Sequence, residues 1–95
     1  MPKAYLIAHV RVHDSEEFAR FSELQRVAID NHDCRVLVRN PTPEIKEGDA
    51  TGMVVMIEFD DIAAARGFYE SDSYRAARAL REVSAETDLL LVEGL

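Results

Sequence analysis

Met53-Val54-Val55-Met56-Ile57-Glu58-Phe59, with Asp60-Asp61-Ile62 directly behind it, is the stretch that decides how the rest of the chain reads. Seven residues rich in β-branched and large apolar side chains, without glycine or proline, predict a strand. Asp60 or Asp61 then offers a side-chain oxygen to cap a helix, so helix follows strand at once. In that helix Ile62, Ala65, Phe68 and Tyr69 share a face until Ser71-Asp72-Ser73 interrupts it. A further helical segment carries Ala76, Ala77, Leu80 and Val83, and Asp88 to Glu93 reads as a closing strand with Gly94 past its end.

Working back toward the N-terminus, Pro41 to Gly52 is a loop, longer than a tight hairpin needs and the kind of surface excursion that often borders a site. Residues 34 to 39 form a short alternating strand, closed by Asn40-Pro41 because proline removes a ladder donor. Residues 4 to 12 are strand formers. Asp14, with Glu17 three places on, caps a helix in which Phe18, Phe21, Leu24 and Ala28 recur at three- and four-residue steps, ending near Asn31. The order β-α-β-β-α-β, its second helix broken in two, predicts a ferredoxin-like α+β fold. Its antiparallel sheet is ordered 4-1-3-2, with helices on one face.

Alternation along each strand separates the two faces of that sheet. Leu6, Ala8, Val10 and Val12 suit the helices, as do Cys34, Val36 and Val38, and Met53, Val55, Ile57 and Phe59. The other face receives Tyr5, Ile7, His9 and Arg11, then Arg35, Leu37 and Arg39, then Val54, Met56 and Glu58. Parity leaves the closing strand unassigned, since Asp88 and Glu93 lie on opposite faces. A face mixing Ile7, Leu37, Val54 and Met56 with charges is too apolar for open water, and a twin sheet is the simplest cover. The expectation is a homodimeric barrel. Pairing Arg35 with Glu58 would set Leu37 against Met56 and Arg39 against Val54, with His9 and Arg11 near Arg39 and Tyr5 near Glu58.

Two groups of candidate ligand-binding residues follow. His9, Arg11 and Arg39 read either as an anion pocket with a base titrating near neutrality or as an interfacial hydrogen-bond network. Arg35 and Glu58 read first as a cross-strand ion pair, and as ligand contacts only if a cavity lies beside them. His9 and His13, four residues apart on a strand, are separated by about 13 Å and cannot share one metal ion. Tyr69 and Tyr74 flank the helix break and read as core packing, with a hydroxyl reaching a turn. The sequence carries no nucleophile motif, phosphate-binding glycine loop or dinucleotide fingerprint, so no catalytic residue is assigned and neither a cofactor nor a metal is expected.

Composition narrows the partners. Eleven basic residues against eighteen acidic ones give a net charge of −7, which repels nucleic acid and anionic membrane surfaces. Apolar runs stay near five residues, far from the roughly 20 that span a bilayer, and the first residues lack a signal peptide's apolar stretch. The expected address is the cytoplasm. Ninety-five residues with 47% hydrophobic content fit one domain. So short a domain buries only about 60 to 65% of its unfolded surface, which favours association with a second copy. Cys34, the single cysteine, has no disulfide partner within the chain and reads as a small core residue.

Arg35-Val-Leu-Val-Arg39, Glu47-Gly48, the Val54 to Phe59 strand, Phe68-Tyr69-Glu-Ser71, Tyr74 and the ending Asp88 to Gly94 together resemble the bacterial family named domain of unknown function 1330, within the dimeric α/β barrel superfamily. The likeness spans nearly the whole chain. The sequence departs from the family pattern at His32-Asp33-Cys34 and Asn40-Pro41, where glycine pairs are usual, and at Asp49-Ala50, where a tryptophan is common. The resemblance implies the fold and the homodimer. The wider superfamily includes cofactor-free monooxygenases, lactone isomerases, haem enzymes and ligand-sensing domains, so an enzyme here would by analogy be a cofactor-free monooxygenase or an isomerase. The leading expectation is a homodimer that binds or transforms a small, partly apolar anionic metabolite without a bound cofactor. The rivals are a non-catalytic ligand-sensing or stress-associated module and a purely structural dimer.

Overall fold

The computed structural model describes residues 2–95. Strand β1 (Ala4–Val12) leads into helix α1 (Ser15–Asp30), then β2 (Cys34–Asn40), β3 (Met53–Phe59), α2 (Ile62–Glu70), α3 (Asp72–Ser84) and β4 (Ala85–Glu93). The four strands form one antiparallel sheet in the order β2-β3-β1-β4, the ferredoxin-like arrangement that the element order predicts. The helices cover one face only, so the molecule is two layers thick, 15 Å along its shortest axis.

Local chemistry places the helix ends. Asp14 Oδ1 accepts from the Glu17 amide at 3.2 Å, and Asp61 Oδ1 accepts from the Ala64 amide at 2.7 Å. Ser71 serves two helices at once: its Oγ donates to the Phe68 carbonyl at 2.7 Å, ending α2, and accepts from the Tyr74 amide at 3.2 Å, opening α3. The predicted break in the second helix is therefore a shared cap.

The core-facing strand residues alternate as expected: Ala4, Leu6, Ala8 and Val10 from β1 and Val55, Ile57 and Phe59 from β3 are buried beneath the helices. Val12, assigned to the same set, is exposed at the strand end. On α1 the buried stripe is Phe21, Gln25 and Ala28, and Leu24 stays 38% exposed. On α3 it is Tyr74, Ala77, Arg81 and Ser84, not the Ala76 and Val83 that the sequence suggested. Both corrections have one cause. A stripe phased on apolar residues alone skips a polar side chain that the fold buries.

Strand β4 begins three residues earlier than the sequence indicated, with no loop after α3. The Ser84 carbonyl accepts from the His13 and Asp14 amides at 2.9 and 3.1 Å, clamping this junction to the end of β1. Its register also settles the open question of faces. Leu89 and Leu91 lie opposite Ala8 and Leu6 on the helix side, and Asp88, Leu90 and Val92 lie opposite His9, Ile7 and Tyr5 on the uncovered side.

In β2 the simple alternation fails. Arg35 pairs with Glu58 and Val36 with Ile57, but Val38 pairs with Met56 and Arg39 with Val55, leaving Leu37 as the extra residue of a β-bulge. One inserted residue exchanges the faces of everything beyond it. Val38 turns to the uncovered side, and Arg39 turns to the helix side.

Candidate functional site

Between the sheet and helices α1 and α3 lies a cavity of about 110 Å³. Its sheet wall is Leu6, Ala8 and Val10 from β1, Met53 and Val55 from β3, Leu89 from β4 and, by way of the bulge, Arg39 from β2. Its helix wall is Phe18, Phe21, Ser22 and Gln25 from α1 with Tyr74 and Arg81 from α3. Tyr74 and Arg81 are seven residues apart, two helical turns, and so project from the same face. Only Ser22, Gln25, Arg39, Tyr74 and Arg81 bring side-chain polar atoms to this wall, and all the formal charge among them is positive.

Arg81 is 6% exposed, and its guanidinium stands 5.9 Å from the ring centres of both Phe21 and Tyr74. Its Nη1 donates to Tyr74 Oη at 2.6 Å, while Nε is buried without a partner. No carboxylate pairs with it among the described residues: the ion pairs formed by arginines are those of Arg11, Arg20, Arg35 and Arg78. Tyr74 is itself 1% exposed, stacked on Phe68 with ring centres 4.7 Å apart and on Tyr69 at 5.5 Å. Burial pushes its phenol above the ordinary tyrosine range, with the Arg81 charge opposing that shift. The tyrosine was expected to hydrogen-bond a turn, and it holds a buried arginine instead.

The residues proposed from the sequence divide between two faces. His9 lies on the uncovered face, where its neighbours across the ladder are Val54 and Asp88. With Pro43, Ile45, Glu47 and Ala50 of the long loop it lines a shallow hollow, and its Nδ1 is buried without a partner. Arg11 donates to Asp88 Oδ2 at 3.1 Å and to the Thr51 carbonyl at 3.3 Å, so its charge is already met. Gly52 lets the loop make this approach: its φ of +98° suits glycine, and a Cβ there would lie 2.5 Å from the Val10 carbonyl oxygen. Arg39 does not join His9 and Arg11, since the bulge carries it to the cavity on the opposite side.

Arg35 and Glu58 meet as expected. Arg35 Nε donates to Glu58 Oε1 at 2.7 Å and Nη2 donates to Asp60 Oδ1 at 3.2 Å, with Lys3 on Asp60 at 3.0 Å and the Tyr5 hydroxyl on Glu58 at 3.4 Å. Hydrogen bonding from Arg35 holds the Glu58 carboxyl below the usual carboxylate range, and Lys3 does the same for Asp60. Every member of this cluster has its partner on the chain. Among the described residues no group of three or more His, Cys, Asp and Glu side chains is arranged to hold a metal ion, and no helix is long and apolar enough to cross a membrane.

Sequence reasoning missed Arg81 and Gln25 as site residues. The signal for Arg81 was its seven-residue spacing from Tyr74, with Ala77 between them on the same face. For Gln25 it was its place between Phe21 and Ala28 on the buried stripe.

The molecule is thus a two-layer ferredoxin-like domain with a positively charged cavity beneath its helices. The chain belongs to the family named domain of unknown function 1330, whose pattern it matches over residues 3–95. Comparison with curated proteins gave no match. Solved structures show the same fold at low identity. A protein of unknown function from Rhodopseudomonas palustris is 16% identical with a TM-score of 0.78, covering 99% of this chain and 83% of that one. A dimeric ferredoxin-like protein of unknown function from Jannaschia is 10% identical with a TM-score of 0.75, covering 97% and 99%. SnoaB of Streptomyces nogalater, a cofactor-independent oxygenase, is 11% identical with a TM-score of 0.69, covering 100% and 95%. At these identities the likeness carries the fold.

Proposed function

We propose that the protein is a homodimer that binds a small anion with an apolar body in the cavity between sheet and helices, Arg81 supplying the counter-charge. The observation that carries this reading is a guanidinium only 6% exposed that lines a cavity and has no carboxylate partner. Burying an unpaired cation costs several kcal/mol, a penalty that an incoming anion relieves. The rest of the lining is largely aliphatic and aromatic, which fits an apolar ligand body. The volume of about 110 Å³ is somewhat smaller than an apolar cavity of about 150 Å³ that takes benzene, so the ligand is a compact one. Arg39, exposed on the edge strand, offers a second positive charge to whatever projects from the cavity.

The uncovered sheet face supports the homodimer part of this reading. Ile7, Val38, Val54 and Met56 are part-buried there, and Leu90 is 48% exposed. A second sheet packed against this face would remove that surface from water, and the Jannaschia neighbour of the same fold is a dimer. Leu90→Glu should convert the dimer to a monomer in light scattering, and a wild-type monomer at micromolar concentration would end this part of the proposal.

Benzoate and shorter carboxylates, titrated by calorimetry and in thermal melts, test the site. Ligand at about 100 times its Kd should stabilise the wild type by about 2.7 kcal/mol. Arg81→Met should abolish the effect. The absence of any stabilisation across the series from acetate to benzoate would overturn the anion reading. A ligand-sensing module is the second reading, favoured by a lining that holds no histidine, carboxylate, lysine or cysteine side chain to act as base or nucleophile.

A further inference from the structure

The hydrogens of the Tyr74–Arg81 pair say more than their heavy atoms do. A guanidinium can only donate, so in the 2.6 Å contact Tyr74 Oη is the acceptor and its own hydrogen points elsewhere. That contact is the only hydrogen bond of the hydroxyl, which leaves the O–H without an acceptor among the described residues. Arg81 Nε–H has none either. Two buried donors therefore stand side by side with nothing to donate to, an arrangement that costs stability unless an acceptor arrives.

The charged and titratable groups that face the pair push in one direction. From β2 comes Arg39. From α2 comes Tyr69, with Arg78 of α3 over its ring at 4.9 Å and paired in turn with Glu82 at 3.3 Å. Helix α1 contributes only Phe18, Phe21, Ser22 and Gln25, and β1, β3 and β4 contribute only apolar side chains. Glu82 offsets the charge of Arg78 outside the cavity, but no acid lines the cavity against Arg81 and Arg39, and no histidine, carboxylate or lysine lines it to take up a proton.

Resting on the anion reading above, we infer that this site selects the conjugate base of a weak oxygen acid, an enol or a phenol, and ionises such a ligand near neutral pH. The ligand's O–H bond breaks, its electron pair remains on oxygen, and the proton passes to bulk water. The oxyanion then accepts from Tyr74 Oη–H and from the Arg81 guanidinium, as a preorganised oxyanion site does. A neutral enol gains little there, since its own hydrogen would meet a second donor. A buried opposite charge lowers an acid's pKa by about 1 to 3 units.

Acetylacetone, whose enol oxygen can reach the pair while its second arm projects from the cavity toward Arg39, is a suitable probe, because its enol and enolate absorb at different ultraviolet wavelengths. A spectrophotometric pH titration with excess full-length protein should show its pKa lowered by about one unit or more. Arg81→Met should erase the shift and Tyr74→Phe should reduce it. An unshifted or raised pKa with the wild type overturns the inference, whether the probe binds neutrally or fails to bind, and this needs no variant to fold. Benzoate calorimetry on the same samples separates the two claims. If benzoate binds in an Arg81-dependent way while acetylacetone is unshifted, the anion site stands and only the ionisation falls. If neither responds, both fall.

Discussion

Arg35 on the edge strand meets two carboxylates, Glu58 at 2.7 Å and Asp60 at 3.2 Å, with its side chain 46% exposed. Arg81 on α3 is 6% exposed and meets a phenol. Where water reaches both partners, acids and bases find each other readily and the pair contributes little, because solvent screens the attraction. Where water is excluded, a charge without its opposite is expensive to hold. A charge kept dry beside a cavity is what the proposed anion site rests on. The wet cluster is met by partners on its own chain, and the dry pair leaves Arg81 Nε without one.

The largest test of that contrast lies at Tyr74. Tyr74→Ala removes the ring stacked on Phe68 and the one acceptor that Arg81 has among the described residues, and should destabilise the protein by about 3 to 5 kcal/mol in urea denaturation. A loss below about 1 kcal/mol would mean that Arg81 has found another acceptor, and the dry pair would cease to be a pair.

Arg81→Met sharpens the comparison further. A thioether of similar length replaces an uncompensated buried cation, so the unliganded variant should be as stable as the wild type or more stable by about 1 kcal/mol. A drop of about 3 kcal/mol would instead mark Arg81 as a satisfied structural residue and remove the basis of the proposed site.

The smallest effects belong to the sheet-face cluster. Arg35→Ala should leave the melting temperature within replicate scatter at moderate salt for a separated protomer, as screened pairs do. A marked, protein-concentration-dependent drop would show that the cluster is buried between two copies. Titration separates the regions as well. Glu58 and Asp60 are held below their unfolded values, so their contribution is complete above the usual carboxylate range and is lost as pH falls through their folded values. Glu58→Gln should flatten the acid limb of the stability profile. Tyr74 is raised by burial, so its contribution is complete below the ordinary tyrosine range and declines as pH rises through it. Ultraviolet titration of the three tyrosines should show a late-ionising one that disappears in Tyr74→Phe.

Read alone, the sequence yielded the order of elements, three of the four strand positions to within a residue, the helix cap at Asp14, the helix break at Ser71-Asp72-Ser73, and the Arg35–Glu58 pairing. All of these rest on short-range chemistry: side-chain alternation, cap hydrogen bonds and residues opposite one another in a regular ladder. The candidate site came from packing. The bulge at Leu37 arises from how β2 lies on β3, and nothing in Arg35-Val-Leu-Val-Arg39 marks which residue is extra, yet it decides that Arg39 faces the cavity rather than His9. Arg81 stands in a helix that would be equally regular with that residue in water. It is buried because α1 closes over it, and whether a helix face is wet or dry depends on what packs against it.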